Sequence, residues 1–268
     1  VAFKAGPVLP QAVTLVLMCL AAMVVAGLYG LFVAALKVKF GTNETLMTLM
    51  LNYIVYWVVM YLIHGVAADP DYPNATMYLE DAMRLPFLNE DIELSSNLII
   101  ALVVALLSGL FLFKTKWGYA LRMTGDNPAF AVYSGMAAKK YVTSSQVIGS
   151  ALAGMGGFVY SLTTANCTAN GDVAGFGFLA LAVMIFGNWK PLNIAAASVL
   201  FGLFKCIAAA YSTLDINGDG VFMLAQIGIS SHLYRMLPYL VTLVVLAFTS
   251  KKSRAPKAEG IPYDKGSR

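Results

Sequence analysis

The sequence predicts an all-α protein, namely a polytopic transmembrane helix bundle with about seven crossings, one of them a short or broken helix. Hydrophobic residues make up 59% and charged residues 12% of the 268 positions, and the mean hydropathy is +0.72. Soluble domains are about half apolar and about a quarter charged. The apolar residues also form runs close to the ~20 residues that a helix needs to cross a bilayer. The chain is therefore an integral membrane protein, and its composition gives no sign of nucleic-acid binding.

The first two spans are predicted at residues 12–36 and 45–63. Gly27 and Gly30 in the first span allow close contact with another helix, and Lys37 and Lys39 mark its end. The second span begins after Thr42-Asn43-Glu44. A Thr or Asn there can accept hydrogen bonds from free backbone amides, and an acid in the first turn interacts favourably with the helix dipole.

The third span, residues 96–113, follows a long acidic loop. Residues 65–95 hold Asp69, Asp71, Glu80, Asp81, Glu90, Asp91 and Glu93 against the single base Arg84. Three prolines in the same loop argue against a long helix there.

Four more spans are predicted in the second half of the chain, at residues 142–163, 176–186, 192–211 and 236–250. The first carries small residues at four-residue spacing, which favours close helix packing. The run at 176–186 is too short for a full crossing at 1.5 Å rise per residue. Lys205 lies inside an apolar run, so it either extends to the interface or pairs within the bundle.

The charge pattern orients this layout with the N-terminus outside and the C-terminus inside. The segments placed inside hold 14 of the 18 Lys and Arg residues and only four of the 14 acids. Basic residues concentrate in cytoplasmic loops. We therefore expect a transmembrane domain over residues 1–250 and a basic cytoplasmic tail over residues 251–268.

The longest cytoplasmic segment that we expect to be folded is predicted at residues 114–141. Gly125-Asp126-Asn127-Pro128 indicates a turn with a proline at the first helical position, and one or two helical turns follow before Gly135. This pattern predicts a short helix across the inner face of the membrane protein. Taken alone, it also fits an ordinary amphipathic loop helix.

Polar side chains inside two spans are candidate solute contacts. These are Asn52, Tyr53, Tyr56, Gln146 and Ser150. Polar groups at membrane depth usually face another helix or a water-filled path. Both interpretations stay open at this point: a path for a solute, or hydrogen bonds that hold helices together.

Catalytic and metal-binding motifs are missing from the sequence. It has no phosphate-binding loop, no G-x-S-x-G and no H-E-x-x-H, so the parts for ATP hydrolysis or common hydrolase chemistry are absent. Cys19, Cys167 and Cys206 are far apart, and we expect free thiols. The segment 215–220 matches the opening of an EF-hand loop, but Gln226 replaces the carboxylate at position twelve, so we expect a turn and no calcium site.

The cytoplasmic segment that contains Gly125-Asp126-Asn127-Pro128 and Gly135 resembles that of permease subunits of bacterial ABC importers, in the nucleoside and simple-sugar branch of the branched-chain amino-acid permease family. The resemblance also covers VAFKAG at the start, GTNETLMTLMLNYI from Gly41, GFGFLALAVMIFGNWKP from Gly175, and MLPYLVTLVVLAFTSKK with the PYDKG ending. Within the cytoplasmic segment it rests on Gly118, Tyr119, Arg122, Gly125, Asp126, Asn127, Pro128, Ala131, Tyr133 and Gly135.

The resemblance implies a transport subunit and not an enzyme, located in the bacterial inner membrane. It also implies a separate ATP-binding cassette ATPase that uses ATP and Mg²⁺, a second permease subunit and an extracytoplasmic substrate-binding protein. The helix that follows Asn127 would be the one that couples to the ATPase. The solute would be a nucleoside first and a simple sugar second.

Relatives in this family carry a signature segment and further helices around VAFKAG, whereas here the first span follows almost directly. We therefore expect a shortened permease.

Two alternative functions would require different features of the sequence. A secondary transporter needs ion-coupling carboxylates at the membrane midplane, and no acid falls inside a predicted span. A non-transporting assembly subunit needs only packing.

Overall fold

The computed structural model describes residues 10–71, 76, 87–89, 94–164 and 175–210, together with residues 236, 240 and 243. Eight α-helices lie within these residues, which confirms the predicted all-α class. They are α1 (Gln11–Phe40), α2 (Glu44–Gly65), α3 (Asn97–Lys114), α4 (Lys116–Asp126), α5 (Pro128–Tyr133), α6 (Ala138–Thr164), α7 (Phe176–Phe186) and α8 (Pro191–Ala210). A small antiparallel ribbon, β1 (Phe87–Asn89) with β2 (Leu94–Ser95), was not predicted.

Six of the predicted spans, all but 236–250, correspond to a helix. Helices α1, α2 and α3 are long and apolar enough to cross a membrane, and α7 and α8 are shorter apolar helices. Helix α6 is also long but less apolar, and it carries Ser144, Ser145 and Gln146 near its start. Several predictions fall largely or wholly outside the described residues. They concern the start of the chain, Cys167, the segment 215–220, the span at 236–250 and the tail at 251–268.

The boundary between α1 and α2 is set by two local signals. Helix α1 does not end at Lys37 but continues to Phe40, where Gly41 adopts a left-handed conformation with φ of 65° and donates its N–H to the Lys37 carbonyl. Asn43 then caps α2, since its side-chain oxygen accepts from the amides of Thr45 and Leu46. A short connection with both ends satisfied fixes where each helix stops.

Helices α1 and α6 form the most extensive packing among the described helices, through their small residues. A Cβ placed on Gly154 would lie 2.5 Å from the Ala22 carbonyl oxygen and 2.6 Å from the Ala26 Cβ. Phe158 and Leu162 pack against Leu15, Met18, Cys19 and Ala22. Close backbone approach of this kind requires glycine or alanine at the contact.

The contacts between α1 and α6 run in opposite directions along the two helices, so the pair is antiparallel. Gly154 lies against Ala22, whereas Gly30, further along α1, lies against Ser150, which comes earlier in α6. The end of α1 with Lys37 and Lys39 therefore lies at the same end as the start of α6. Trp117 of α4 contacts Tyr141 near that start, with 5.5 Å between ring centroids. The basic residues of α1, α4 and α6 thus gather at one end of this unit.

The chain divides into two compact units, the first with α1 to α6 and the second with α7 and α8. In the second unit Leu179, Val183, Ala197 and Phe201 form a core, and the rings of Phe186 and Phe201 meet edge to face at 5.6 Å. A tight turn joins α7 and α8. It contains two left-handed non-glycine residues, Asn188 and Trp189, with φ of 51° and 56°.

Candidate coupling surface and candidate solute path

The short cytoplasmic helix predicted after Asn127 is present as α5, and its first turn is built from local signals. The Asn127 side-chain oxygen accepts a hydrogen bond from the Phe130 amide at 3.0 Å, and Pro128 occupies the first helical position. Asn127 also ends α4, because its own amide donates to the Met123 carbonyl. One residue therefore ends one helix and begins the next, which fixes the corner between them.

The C-terminal end of α5 is closed by a glycine turn. Gly135 has φ of 78° and donates its amide to the Val132 carbonyl at 3.0 Å. The Met136 amide donates to the Ala131 carbonyl, also at 3.0 Å. This pair of bonds is the Schellman motif, in which glycine supplies the left-handed residue. Helix α5 is only six residues long, yet both of its ends are hydrogen-bonded.

The two faces of α5 differ in exposure. Ala131 is fully buried, with 0% of its surface accessible. Phe130, Val132 and Tyr133 are exposed, and Tyr133 keeps 74% of its surface. The other predicted residues of this region, Gly125, Asp126, Asn127, Pro128 and Gly135, are half-buried or exposed along the same corner. Helix α5 thus presents a small, uncharged, aromatic surface, and hydrogen bonds at both of its ends hold it in place.

Three of the five candidate solute contacts lie on α2. Asn52 and Tyr53 are exposed, and Tyr56 is partly covered by Trp57, whose ring it meets edge to face at 5.6 Å. These residues form a strip with an amide, hydroxyls and aromatic faces on a predominantly apolar helix, and we call it the α2 strip.

Gln146 and Ser150 lie on α6, against α1. A Cβ on Gly30 would collide with the Ser150 Oγ and would lie 2.9 Å from the Gln146 carbonyl oxygen. Helix α2 packs lightly on α1 and shares no substantial contact with α6. The structure therefore does not bring the α2 strip together with Gln146 and Ser150, and it sets Ser150 in a contact between helices.

Helix α4 and the exposed Phe130 were missed by sequence reasoning. Thr115 caps α4 by accepting from the Gly118 amide at 3.0 Å, and Gly118, Ala120 and Thr124 form its buried side. A Thr cap followed by small or apolar residues at helical spacing was the signal that could have revealed it. The exposure of Phe130 could have been inferred from helical spacing as well, because neighbouring residues of a helix point to different sides and the next residue, Ala131, is buried.

Among the described residues, no group of three or more His, Cys, Asp or Glu side chains could hold a metal ion. Cys19 and Cys206 are free thiols. The other cysteine and the segment 215–220 lie outside the part of the chain that the structure describes.

Three apolar helices of membrane length, α1, α2 and α3, define a multi-pass helical membrane protein. The family model of the branched-chain amino acid transport system permease component matches residues 2–246. The chain belongs to this family, so it is a transport permease component and not an enzyme.

Three curated relatives are similar over large parts of the chain. The guanosine ABC transporter permease protein NupQ of Bacillus subtilis is 30% identical over 93% of this chain and 77% of its own length. The nucleoside ABC transporter permease protein NupC of Lactococcus lactis is 36% identical over 62% of this chain and 50% of its own length. The guanosine permease NupP of Bacillus subtilis is 30% identical over 73% of this chain and 58% of its own length. No solved structure matches the chain.

Proposed function

We propose that this chain is the membrane-spanning permease subunit of an ATP-driven importer of nucleosides, with simple sugars as the second class of solute. The observation that carries the proposal is α5, a short helix capped at both ends that presents Phe130 and Tyr133 outward. A small rigid element with exposed aromatic side chains is suited to enter a groove on a partner, because little order has to be gained on binding. The names of the nucleoside permeases to which the chain is similar support the same proposal.

The partners follow from the energy source. An importer of this kind requires an ATP-binding cassette ATPase that holds ATP and Mg²⁺, a second permease subunit and an extracytoplasmic binding protein. In the proposal the ATPase contacts α5, and Gly125, Asp126, Asn127, Pro128, Ala131, Tyr133 and Gly135 form the corner that carries its motion. The membrane domain spans residues 1–250, and residues 251–268 form the basic cytoplasmic tail.

The orientation places the end with Lys37, Lys39 and α4 in the cytoplasm. Its support is the clustering of basic residues at one end of the α1–α6 pair, together with the positive-inside rule. Single cysteines at the exposed positions Asp126 and Val66, in a background without the native cysteines, should react with an impermeant thiol reagent from opposite sides. Reaction of both from the same side would contradict this orientation.

The coupling step can be tested with the assembled transporter. We expect Phe130→Ala with Tyr133→Ala to lower solute-stimulated ATP hydrolysis on the order of tenfold or more, since truncating a central interface aromatic commonly costs more than ~1 kcal/mol. Ala131 is unsuitable as a probe because it is buried, and a larger side chain there would disturb folding. The matched control is Phe32→Ala, an exposed aromatic of α1 outside this surface. Undiminished stimulation in the double variant, in a complex that still assembles, would exclude α5 as the coupling element.

The proposed solute is neutral and forms hydrogen bonds. Asn52, Tyr53 and Tyr56 offer an amide, hydroxyls and ring faces, which suit a planar base or the apolar face of a sugar. Gln146 and Ser150 on α6 are further candidate solute contacts in this proposal, although α6 does not pack against the α2 strip and Ser150 lies against α1. The transporter should take up a purine nucleoside in an ATP-dependent manner, and Asn52→Leu or Tyr56→Leu should slow uptake. Uptake of branched-chain amino acids without competition from any nucleoside or sugar would overturn the solute while leaving the importer intact.

A further inference from the structure

Five basic side chains lie together at the end of α3, on α4 and at the start of α6. All five are exposed, and α4 packs against both α3 and α6. The aromatic side chains Trp117 and Tyr119 are exposed among them. We call this the cationic–aromatic surface, and its basic members are Lys114, Lys116, Arg122, Lys139 and Lys140.

Aromatic rings hold two of these cations in place. The Lys140 Nζ lies 5.4 Å from the centroid of the Trp117 ring, and the same ring meets Tyr141 edge to face. The Arg122 guanidinium carbon lies 4.6 Å from the centroid of the Phe113 ring. A cation over a ring face is held by the ring quadrupole while its N–H donors stay available to another group. The surface is thus partly ordered before any ligand binds.

No carboxylate neutralises these five charges in the part of the chain that the structure describes. Asp126 lies nearby in sequence but forms no salt bridge with them. Lys37 shows the contrast, since it pairs with Glu44 in a partly buried contact. The surface therefore carries a local excess of positive charge.

The depth of the surface is fixed by the contact between α4 and α3. A Cβ on Gly118 would lie 2.5 Å from the Leu112 carbonyl oxygen and 2.6 Å from the Leu112 Cα, so α4 rests directly on the end of α3. Helix α3 is one of the helices long and apolar enough to cross the bilayer, and it ends at Lys114. The cationic–aromatic surface accordingly lies where the hydrocarbon region gives way to headgroups.

We infer that the cationic–aromatic surface binds the phosphate headgroups of anionic phospholipids in the cytoplasmic leaflet. Lys and Arg donate to phosphate oxygens, and clusters of basic residues beside a membrane helix attract anionic lipids by about 1 kcal/mol per residue, which corresponds to about fivefold in affinity. Trp and Tyr prefer the same interfacial level. The surface is separate from the neutral face of α5, so lipid and ATPase need not compete. The inference needs only a chain inserted in a membrane and does not depend on which solute is carried.

The test uses the full chain in mixed detergent–lipid micelles, with Trp57→Phe and Trp189→Phe so that Trp117 is the only tryptophan. Fluorescence quenching is measured with brominated phosphatidylglycerol and with brominated phosphatidylcholine. We expect a clear preference for phosphatidylglycerol that weakens with salt. Lys116→Gln with Arg122→Gln should lower that preference by about 30-fold, since two charges are lost. Lys39→Gln with Lys190→Gln removes the same charge elsewhere and should leave it unchanged.

Two further measurements keep the outcome decisive. Lys116→Arg with Arg122→Lys keeps the charge and should retain the preference, which separates charge from disturbed folding. An equal loss in the two glutamine pairs would overturn the inference, because net charge alone would then explain the binding. The inference also fails if the Lys116/Arg122 glutamine pair keeps its phosphatidylglycerol preference but no longer copurifies with its ATPase subunit. That result would assign the surface to an acidic protein partner.

Discussion

The α1–α6 pair and the helices α2 and α3 have similar membrane-crossing roles but very different packing. Along α1 and α6, Gly27, Gly30 and Gly154 let the two backbones approach, and the contact runs along most of both helices. Along α2 only Ile63 is buried, and no residue of α3 is. The difference lies in the size of the residues, because α1 is as apolar as α2, yet only α1 has glycines at a contact with another helix.

Small residues are what select a helix partner in an apolar solvent. Lipid tails are as apolar as leucine, so a leucine-rich face gains little by leaving lipid for another helix, whereas glycine allows many close backbone contacts. Helices α2 and α3 instead present large side chains such as Trp57, Tyr61 and Leu106 outward. Within the first unit these faces are left for lipid or for other parts of the assembled transporter.

The largest expected effect comes from breaking the closest approach to backbone in the α1–α6 pair. Gly154→Leu puts a side chain where the Cβ alone would lie 2.5 Å from the Ala22 carbonyl oxygen. Overpacking of this kind, here against backbone, should destabilise the chain by about 3 kcal/mol or more. The midpoint of thermal unfolding in detergent would measure it.

The matched control for this change is Gly156→Leu on the same helix, where the added Cβ would meet nothing within 4 Å. It makes the same change in helix propensity without the collision, so its unfolding midpoint should stay close to that of the unmodified chain. Equal destabilisation by both substitutions would mean that close packing with α1 is not what Gly154 provides.

A smaller effect should follow from truncating a large side chain in the same pair. Phe158 is 8% exposed and forms, with Leu162, a cluster that packs against α1, whereas Phe32 of α1 is 52% exposed. In a membrane, a side chain that leaves the helix contact meets lipid, which is also apolar. Phe158→Ala therefore loses mainly packing contacts, and we expect it to lower the stability by about 2 kcal/mol. Phe32→Ala should cost less than about 0.5 kcal/mol. Similar unfolding midpoints for the two variants would remove the proposed contrast between paired and unpaired faces.

The local parts of the fold could be predicted from the sequence because their signals lie within a few residues. Asn43 before Glu44 predicted the start of α2, and Asn127-Pro128 with Gly135 predicted both ends of α5. The end of α1 was placed too early, at Lys37 and Lys39. A lysine in the last turn is compatible with a helix, whereas Gly41 is what stops it.

The parts that depend on neighbours could not be predicted in the same way. The four-residue spacing of Asn52 and Tyr56 defines a face of α2, but it does not say which helix, if any, lies opposite. Small residues predicted that α6 would pack closely, without naming α1 as its partner. Whether Gln146 and Ser150 contact a solute as well as α1 stays a prediction, since spacing alone cannot separate the two roles.

The smallest expected effect concerns α2, whose start is held by local bonds and not by extensive packing. The Asn43 side chain accepts from the Thr45 amide at 2.9 Å and from the Leu46 amide at 3.4 Å, and the Lys37–Glu44 pair closes the same turn. Asn43→Ala leaves both amides without this acceptor, which should cost about 1 kcal/mol. Hydrogen exchange of the Thr45 and Leu46 amides should then accelerate about fivefold, while amides in the middle of α1 and α6 keep their rates. Asn43→Ser retains a capping oxygen and should exchange almost like the unmodified chain. If Ala and Ser at this position gave the same rates, the start of α2 would be held by packing, and the contrast with the α1–α6 pair would be smaller than the structure indicates.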